Sequence, residues 1–232
     1  MKSKYFFIPE DNSFFKEHLK DICSIRISRI INEFVLGFRF LKKQHNTVTF
    51  FGSARLTPNK EYYKEATELA FALSKKGFTI VTGGGGGVME AANKGAFEAG
   101  GKSIGLNVIL PKEQRLNKYV TDSEVFHYFF IRKVMLSFAS QAYVFFPGGF
   151  GTLDEFFEIV TLIQTNKIKR IPIVLIHRDY WEPLLKWIEK DLQKEYKTIC
   201  KKDTKIYQLV DTPEQALRVI EKLSKKYKKL YV

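Results

Sequence analysis

The sequence predicts an α/β fold, a doubly wound parallel sheet with helices on both faces. Three observations carry that expectation. From Thr47 onward, short apolar β-rich runs alternate with longer amphipathic stretches, the pattern of strands joined by crossover helices. Glycine-bearing turns fall at the ends of three of those runs, at Gly52-Ser53-Ala54-Arg55, Gly83-Gly84-Gly85-Gly86-Gly87 and Gly148-Gly149-Phe150-Gly151. Hydrophobic residues make up 45% of 232 positions, enough for a full core.

The chain divides into a helical extension over 1–46 and an α/β domain over 47–232. In the extension, Ile27, Ile31, Phe34, Val35, Phe38 and Leu41 recur at three- and four-residue steps, which predicts an amphipathic helix packed on the core or on a second subunit. Arg26, Arg29, Glu33, Arg39 and Lys42 fall mostly off that stripe. The first strand is 47–51. Thr57 is placed to cap the next helix, with Pro58 at its first position and its end near Lys76. A strand over 78–81 leads into the five-glycine run, followed by a helix over 88–99 and a strand over 103–108. Residues 125–130 read as extended and 132–140 as a helix. The apolar run Ala142-Tyr143-Val144-Phe145-Phe146 is a buried strand that stops at Pro147, with a helix over 151–167 directly after it. A strand over 171–176 precedes a helix that begins at Tyr180 behind the capping pair Asp179 and Glu182. A short strand over 206–210 is followed by Thr212-Pro213-Glu214-Gln215, the opening of a terminal helix.

Composition excludes several classes. Cys23 and Cys200 have neither metal nor redox spacing, so a disulfide scaffold is out and a reducing, cytoplasmic setting is expected. No apolar run approaches ~20 residues, so no membrane span is expected. The formal charge of +13 raises the question of nucleic acid. However, Lys222, Lys225, Lys226, Lys228 and Lys229 occupy every phase of the terminal helix, which reads as a solvated surface. The scattered histidines His18, His45, His127 and His177 make no metal-ligand pattern.

The chemistry concentrates at Pro147-Gly148-Gly149-Phe150-Gly151-Thr152-Leu153-Asp154-Glu155. A strand ends, glycines turn the chain and a helix begins, so free N–H groups and the positive end of the helix dipole face an open crevice. The glycines admit an oxyanion to the backbone, Thr152 adds a hydroxyl, and Asp154 and Glu155 lie just inside the helix. Arg132 and Lys133 enter an otherwise apolar helix, where a cation needs an anion to meet it. Two other readings fail. A dinucleotide fingerprint over Gly83 and Gly85 meets Val88 where its last glycine belongs, and the following strand brings no acid. A P-loop at Gly95, Gly100, Gly101, Lys102 and Ser103 is misspaced, and its lysine leads into a strand.

The run from Pro147 to Glu155 resembles the signature of the LONELY GUY (LOG) family of nucleoside-monophosphate phosphoribohydrolases. The likeness extends through Phe51-Gly52-Ser53-Ala54-Arg55 and Gly87-Val88-Met89-Glu90. It continues through Leu110-Pro111-x-Glu113-Gln114, Arg132-Lys133-x-Met135 and Thr161-Leu162-Ile163-Gln164-Thr165. It implies a Rossmann-like fold, commonly a homodimer, that cleaves the N-glycosidic bond of a 5′-nucleotide such as AMP or a cytokinin riboside monophosphate, with neither cofactor nor metal. Carried over by motif, Arg132 and Glu155 are the catalytic pair. Gly148, Gly149, Gly151 and Thr152 hold the phosphate, and Lys133 and Thr161 line the nucleotide site. Gly52, Ser53, Arg55, Gly84, Gly85, Gly87 and Glu90 complete the crevice. Departures from the short plant-type pattern at 128–131, Gly86 and Glu90, with the long N-terminal helix, resemble the longer bacterial branch. The alternative reading is a non-catalytic carrier of a nucleotide or of the molybdenum cofactor. Decarboxylation of lysine, an older label in the family, would require a Schiff-base lysine, and nothing in the sequence marks one.

Overall fold

A computed structural model describes residues 22–58, 60–109 and 116–230, with the side chains of 22–24 and 225–230 excepted. The Leu110-Pro111-x-Glu113-Gln114 stretch and the lysine side chains at 225, 226, 228 and 229 lie outside the described residues.

Seven strands form one parallel sheet: β1 Thr47–Phe51, β2 Thr79–Thr82, β3 Ser103–Val108, β4 Asp122–Phe126, β5 Ala142–Phe145, β6 Ile173–Ile176 and β7 Gln208–Val210. Their order is β4-β3-β2-β1-β5-β6-β7, all pairs parallel, so the winding reverses between β1 and β5. This is the doubly wound, Rossmann-like sheet expected, and the reversal is where such sheets open a crevice at their carboxyl ends. β1, β2, β3, β5 and β6 are buried at every position. Strands covered on both faces read as continuous apolar runs, which is why the sequence locates them well.

The helices are α1 Ile22–Lys42, α2 Glu61–Lys75, α3 Val88–Glu98, α4 Phe129–Phe138, α5 Phe150–Gln164, α6 Arg178–Trp187 and α7 Pro213–Leu230. One face of the sheet packs Val48, Phe50, Ile80 and Val144 against α2, α3 and α7. The other packs Phe51, Val81, Leu106, Tyr143 and Phe145 against α4, α5 and α6. Among the described residues, no helix is long and apolar enough to cross a membrane.

Several expected boundaries shift. Thr57 and Pro58 do not open α2; their stretch closes a turn, with the Lys60 amide on the Thr57 carbonyl at 3.0 Å, and the helix starts at Glu61. β4 lies at Asp122–Phe126 because it pairs with β3, and α4 begins three residues before Arg132. Asp179 and Glu182 do not cap α6, whose N-cap is His177 at φ +79°. Thr212 does cap α7: its hydroxyl accepts from the Gln215 amide at 3.3 Å, and Gln215 accepts in turn from the Asp211 amide at 2.9 Å.

The packed face of α1 is also turned from the one expected. Ile30, Phe34 and Leu41 pack toward the core. Gly37 sits so close to α4 that a Cβ there would stand 2.6 Å from the Met135 sulfur. Glu33, read as an outward residue, accepts the amides of His127 and Tyr128 at 3.1 and 3.2 Å, satisfying donors at the start of α4. Ile27, Ile31, Val35 and Phe38 stay 42–51% exposed.

Candidate functional site

The three glycine-bearing turns converge on Ser53. Its amide donates to the Pro147 carbonyl at 3.0 Å, and its carbonyl accepts from the Val88 amide at 3.0 Å. One backbone residue after β1 therefore ties the turn before α3 to the turn before α5. Gly87, at φ +64°, permits this closeness, since a Cβ there would lie 2.1 Å from the Ser53 oxygen. The bonds position a cleft of about 850 Å³ at the reversal point of the sheet.

On one side of that cleft stands the turn at 147–152. The amides of Thr152 and Leu153 donate to the Gly149 carbonyl at 3.0 and 3.1 Å, closing the first turn of α5. The Phe150 and Gly151 amides precede that ladder, at the positive end of the helix dipole. Gly148 is packed, with the Thr152 hydroxyl 2.0 Å from where its Cβ would be, whereas Gly149 and Gly151 border open space. A phosphate could approach their bare backbone without meeting a side chain.

Glu155 lies behind this turn and lines the cleft while only 5% exposed; its Oε2 is buried and has no hydrogen-bond partner. Burial pushes its carboxyl up to about 7; the Lys133 and Arg132 charges pull it down, while Glu158 and Asp154 push it up. A group near 7 exists in both protonation states at neutral pH, as acid–base work needs. Arg132, on α4, lines the same cleft, near enough for its charge to act on Glu155. Its Nε donates to the Leu106 carbonyl at 3.0 Å and its guanidinium lies 5.8 Å from the Phe129 ring centroid. Burial lowers its pKa and the Glu155 carboxylate raises it.

Of the other expected residues, Gly52, Ser53, Arg55, Gly148, Gly149, Gly151 and Thr152 border the same cleft. Lys133, Thr161, Gly84, Gly85, Gly87 and Glu90 are not part of its wall in the single chain. Lys133 bridges α4 to α5, its ammonium 2.5 Å from Asp154 and 2.8 Å from Glu158. Thr161 is exposed, its carbonyl accepting from the Thr165 hydroxyl at 2.7 Å. Glu90 accepts from the Tyr63 hydroxyl at 3.4 Å. The carbonyls of Gly84 and Gly85 are held by the Asn117 amide at 3.1 and 3.0 Å, and Asn117 is fixed by Asn93 at 2.9 Å.

Sequence reasoning missed Leu56, Tyr62, Phe129 and Tyr180 and gave no role to Met89 and Phe150 within their motifs; all six belong to the apolar and aromatic wall of the cleft. Asn93 and Asn117 were missed too, although a fully buried Asn in an alanine-rich helix is a readable signal. Among the described residues, no group of three or more His, Cys, Asp or Glu is placed to hold a metal ion.

A sequence model of the family described as "Possible lysine decarboxylase" matches residues 89–220, more than half of the chain. The chain belongs to that family, the LOG family of the curated relatives. A probable cytokinin riboside 5′-monophosphate phosphoribohydrolase of Oryza sativa subsp. japonica is 27% identical over 200 residues, 84% of this chain and 78% of the relative. The cytokinin riboside 5′-monophosphate phosphoribohydrolase of Rhodococcoides fascians is 27% identical over 149 residues, 62% and 74% of the two chains. Among solved structures, the molybdenum cofactor carrier protein of Chlamydomonas reinhardtii superposes with a TM-score of 0.58 at 24% identity, over 78% of this chain and 98% of that one, a likeness of fold. The matched LOG-family span contains Arg132 and the whole turn from Pro147 to Glu155.

Proposed function

We propose that this protein is a phosphoribohydrolase, cleaving the N-glycosidic bond of a nucleoside 5′-monophosphate, AMP or a cytokinin riboside monophosphate, to free base and ribose 5-phosphate. The observation that carries this reading is the buried Glu155 carboxylate, with an unpartnered oxygen, directly behind an open glycine turn. A phosphate docked over 148–152 fixes the sugar against that carboxylate, an orientation effect that removes much of the barrier. Rupture of the ribosyl–base bond passes through an oxocarbenium-like state. A carboxylate beside it stabilises the developing positive charge and takes a proton from the attacking water. Arg132, in the wall of the same cleft, supplies a fixed positive charge for the nucleotide.

The activity for which the curated relatives are named agrees with this assignment. Lysine decarboxylation is less well supported. A Schiff-base lysine needs a lowered pKa, and the ion pairs of Lys133 with Asp154 and Glu158 raise it, against its burial. The carrier reading, suggested by the shared fold, predicts a tightly co-purifying pterin and no turnover.

The test is incubation with AMP and with cytokinin riboside monophosphates, followed by assay of ribose 5-phosphate. Release by the wild type and its loss in Glu155→Gln is the expected result. No release from any purine or pyrimidine monophosphate would overturn the assignment, as would full activity in Glu155→Gln. We also propose a homodimer formed across the exposed apolar faces of α1 and α4.

A further inference from the structure

His177 has a backbone conformation that its side chain disfavours. It is the N-cap of α6 at φ +79°, ψ 94°, a region costly for a residue with a Cβ. Such strain persists only where surrounding contacts over-determine it, and here they come from three directions. The His177 amide donates to the Val210 carbonyl of β7 at 3.2 Å, and its carbonyl accepts the Tyr180 and Trp181 amides of α6, both at 3.2 Å. The imidazole Nε2 stands 2.5 Å from Glu65 on α2, with both side chains at least four-fifths buried. The Tyr62 ring, one helical turn before Glu65, packs on the imidazole at a centroid distance of 4.0 Å.

Both tyrosines in this arrangement reach the cleft. Tyr62 and Tyr180 line it, and the Tyr180 hydroxyl donates to the Gly148 carbonyl at 2.6 Å. That carbonyl belongs to the first glycine of the turn, so holding it fixes the peptide plane leading into Gly149 and the open amides beyond.

We infer that His177, anchored by Glu65, is a positioning residue that sets the phosphate turn through Tyr180 and the facing cleft wall through Tyr62. The positive-φ bend at 177 swings the start of α6 under the turn at 147–152, and the buried hydrogen bond to Glu65 on α2 keeps it there. None of these four side chains occurs in the motifs that carry the family resemblance. The inference rests on the reading that the turn receives a phosphate, but its geometry can be tested without a ligand.

The experiment compares His177→Asn, Tyr180→Phe and the double variant with wild type. Asn tolerates a positive φ while removing the imidazole, and Phe removes a single hydroxyl. Deuterium exchange by mass spectrometry reads the peptide spanning 147–153. Steady-state cleavage of AMP reads KM and kcat.

Both single variants should exchange faster in that peptide. KM should rise about fivefold, the loss of one hydrogen bond to a carbonyl, with kcat changed by less than about twofold. Because His177 acts on the turn through Tyr180, the double variant should be no worse than His177→Asn alone, whereas general destabilisation would add. Unchanged exchange at 147–153 in Tyr180→Phe overturns the inference, as does a double variant whose effects multiply. A wild type that releases no ribose 5-phosphate would instead sink the proposed activity, leaving the exchange result to decide the positioning role.

Discussion

Glu155 combines a functional position with a cost to the fold. Its carboxyl is held up to about 7, chiefly by burial, against 4.5 for the free group. The folded state therefore binds its proton more tightly than the unfolded state does. That contribution to stability is complete below about 4.5 and is lost as pH rises through about 7. Above that, the ionised buried group costs on the order of 3 kcal/mol. Glu155→Gln keeps the shape and removes the charge. Its melting temperature relative to wild type should rise between pH 4 and pH 8 by about 5–10 °C for a chain of this size. Thermal unfolding at the two pH values measures this, and an unchanged difference would contradict the burial argument. The same substitution should lower kcat for nucleotide cleavage by at least about 100-fold, the usual contribution of a positioned acid–base group. If the carboxylate is the working form, wild-type kcat should climb through pH ~7 and level off above it, as a rate profile across that range would record.

At the scale of elements, the start of α5 separates packing from ligand access within two adjacent glycines. A methyl at Gly148 would collide with the Thr152 side chain, whereas one at Gly149 meets nothing within 4 Å, and the φ of −97° there suits alanine. Gly148→Ala should thus destabilise the protein by about 1–3 kcal/mol through overpacking. Gly149→Ala should melt within about 2 °C of wild type, as a change that strains nothing does, yet bind ribose 5-phosphate at least about tenfold more weakly because its methyl occupies the anion's approach. Chemical denaturation and calorimetric titration distinguish the two. This turn was legible in the sequence because a proline, glycines and a following helix dictate it locally, and the fully buried strands were legible as unbroken apolar runs. The aromatic wall was not. Tyr62, Phe129 and Tyr180 come from three helices that only the sheet order brings together. The helix starts at Thr57 and Asp179 were misplaced for a related reason. Their capping sequences are local signals, while the turn at 57–60 and the bond between β7 and His177 decide where those helices begin. The face of α1 was misread because Glu33 satisfies backbone donors of α4 and so faces inward, against the hydrophobic pattern.

At the scale of the molecule, the misread face becomes informative. Ile27, Ile31, Val35 and Phe38 on α1, with Phe130 and Phe138 on α4, leave 42–53% of each side chain exposed. The aromatic members are joined: Phe38 lies 6.1 Å from Phe138, and Phe34 bridges Phe38 and Phe130 at 6.4 and 6.5 Å. Single exposed apolar residues are ordinary, but an aromatic and aliphatic face on two helices is the kind of surface that the proposed homodimer would cover. The formal charge of +13 disfavours loose self-association, so the proposed dimer would rest on this apolar face as its seam. Since α4 carries Arg132 on its inner side, the seam would also brace the helix that presents the cleft's cation. Ile31→Asp combined with Phe38→Asp places two charges on the exposed apolar face, outside the cleft. Light scattering after size exclusion should give a dimer near twice 27.0 kDa for wild type and a monomer for the double variant. A wild-type monomer at tens of micromolar, or a variant that still dimerises, would remove this face from the interface.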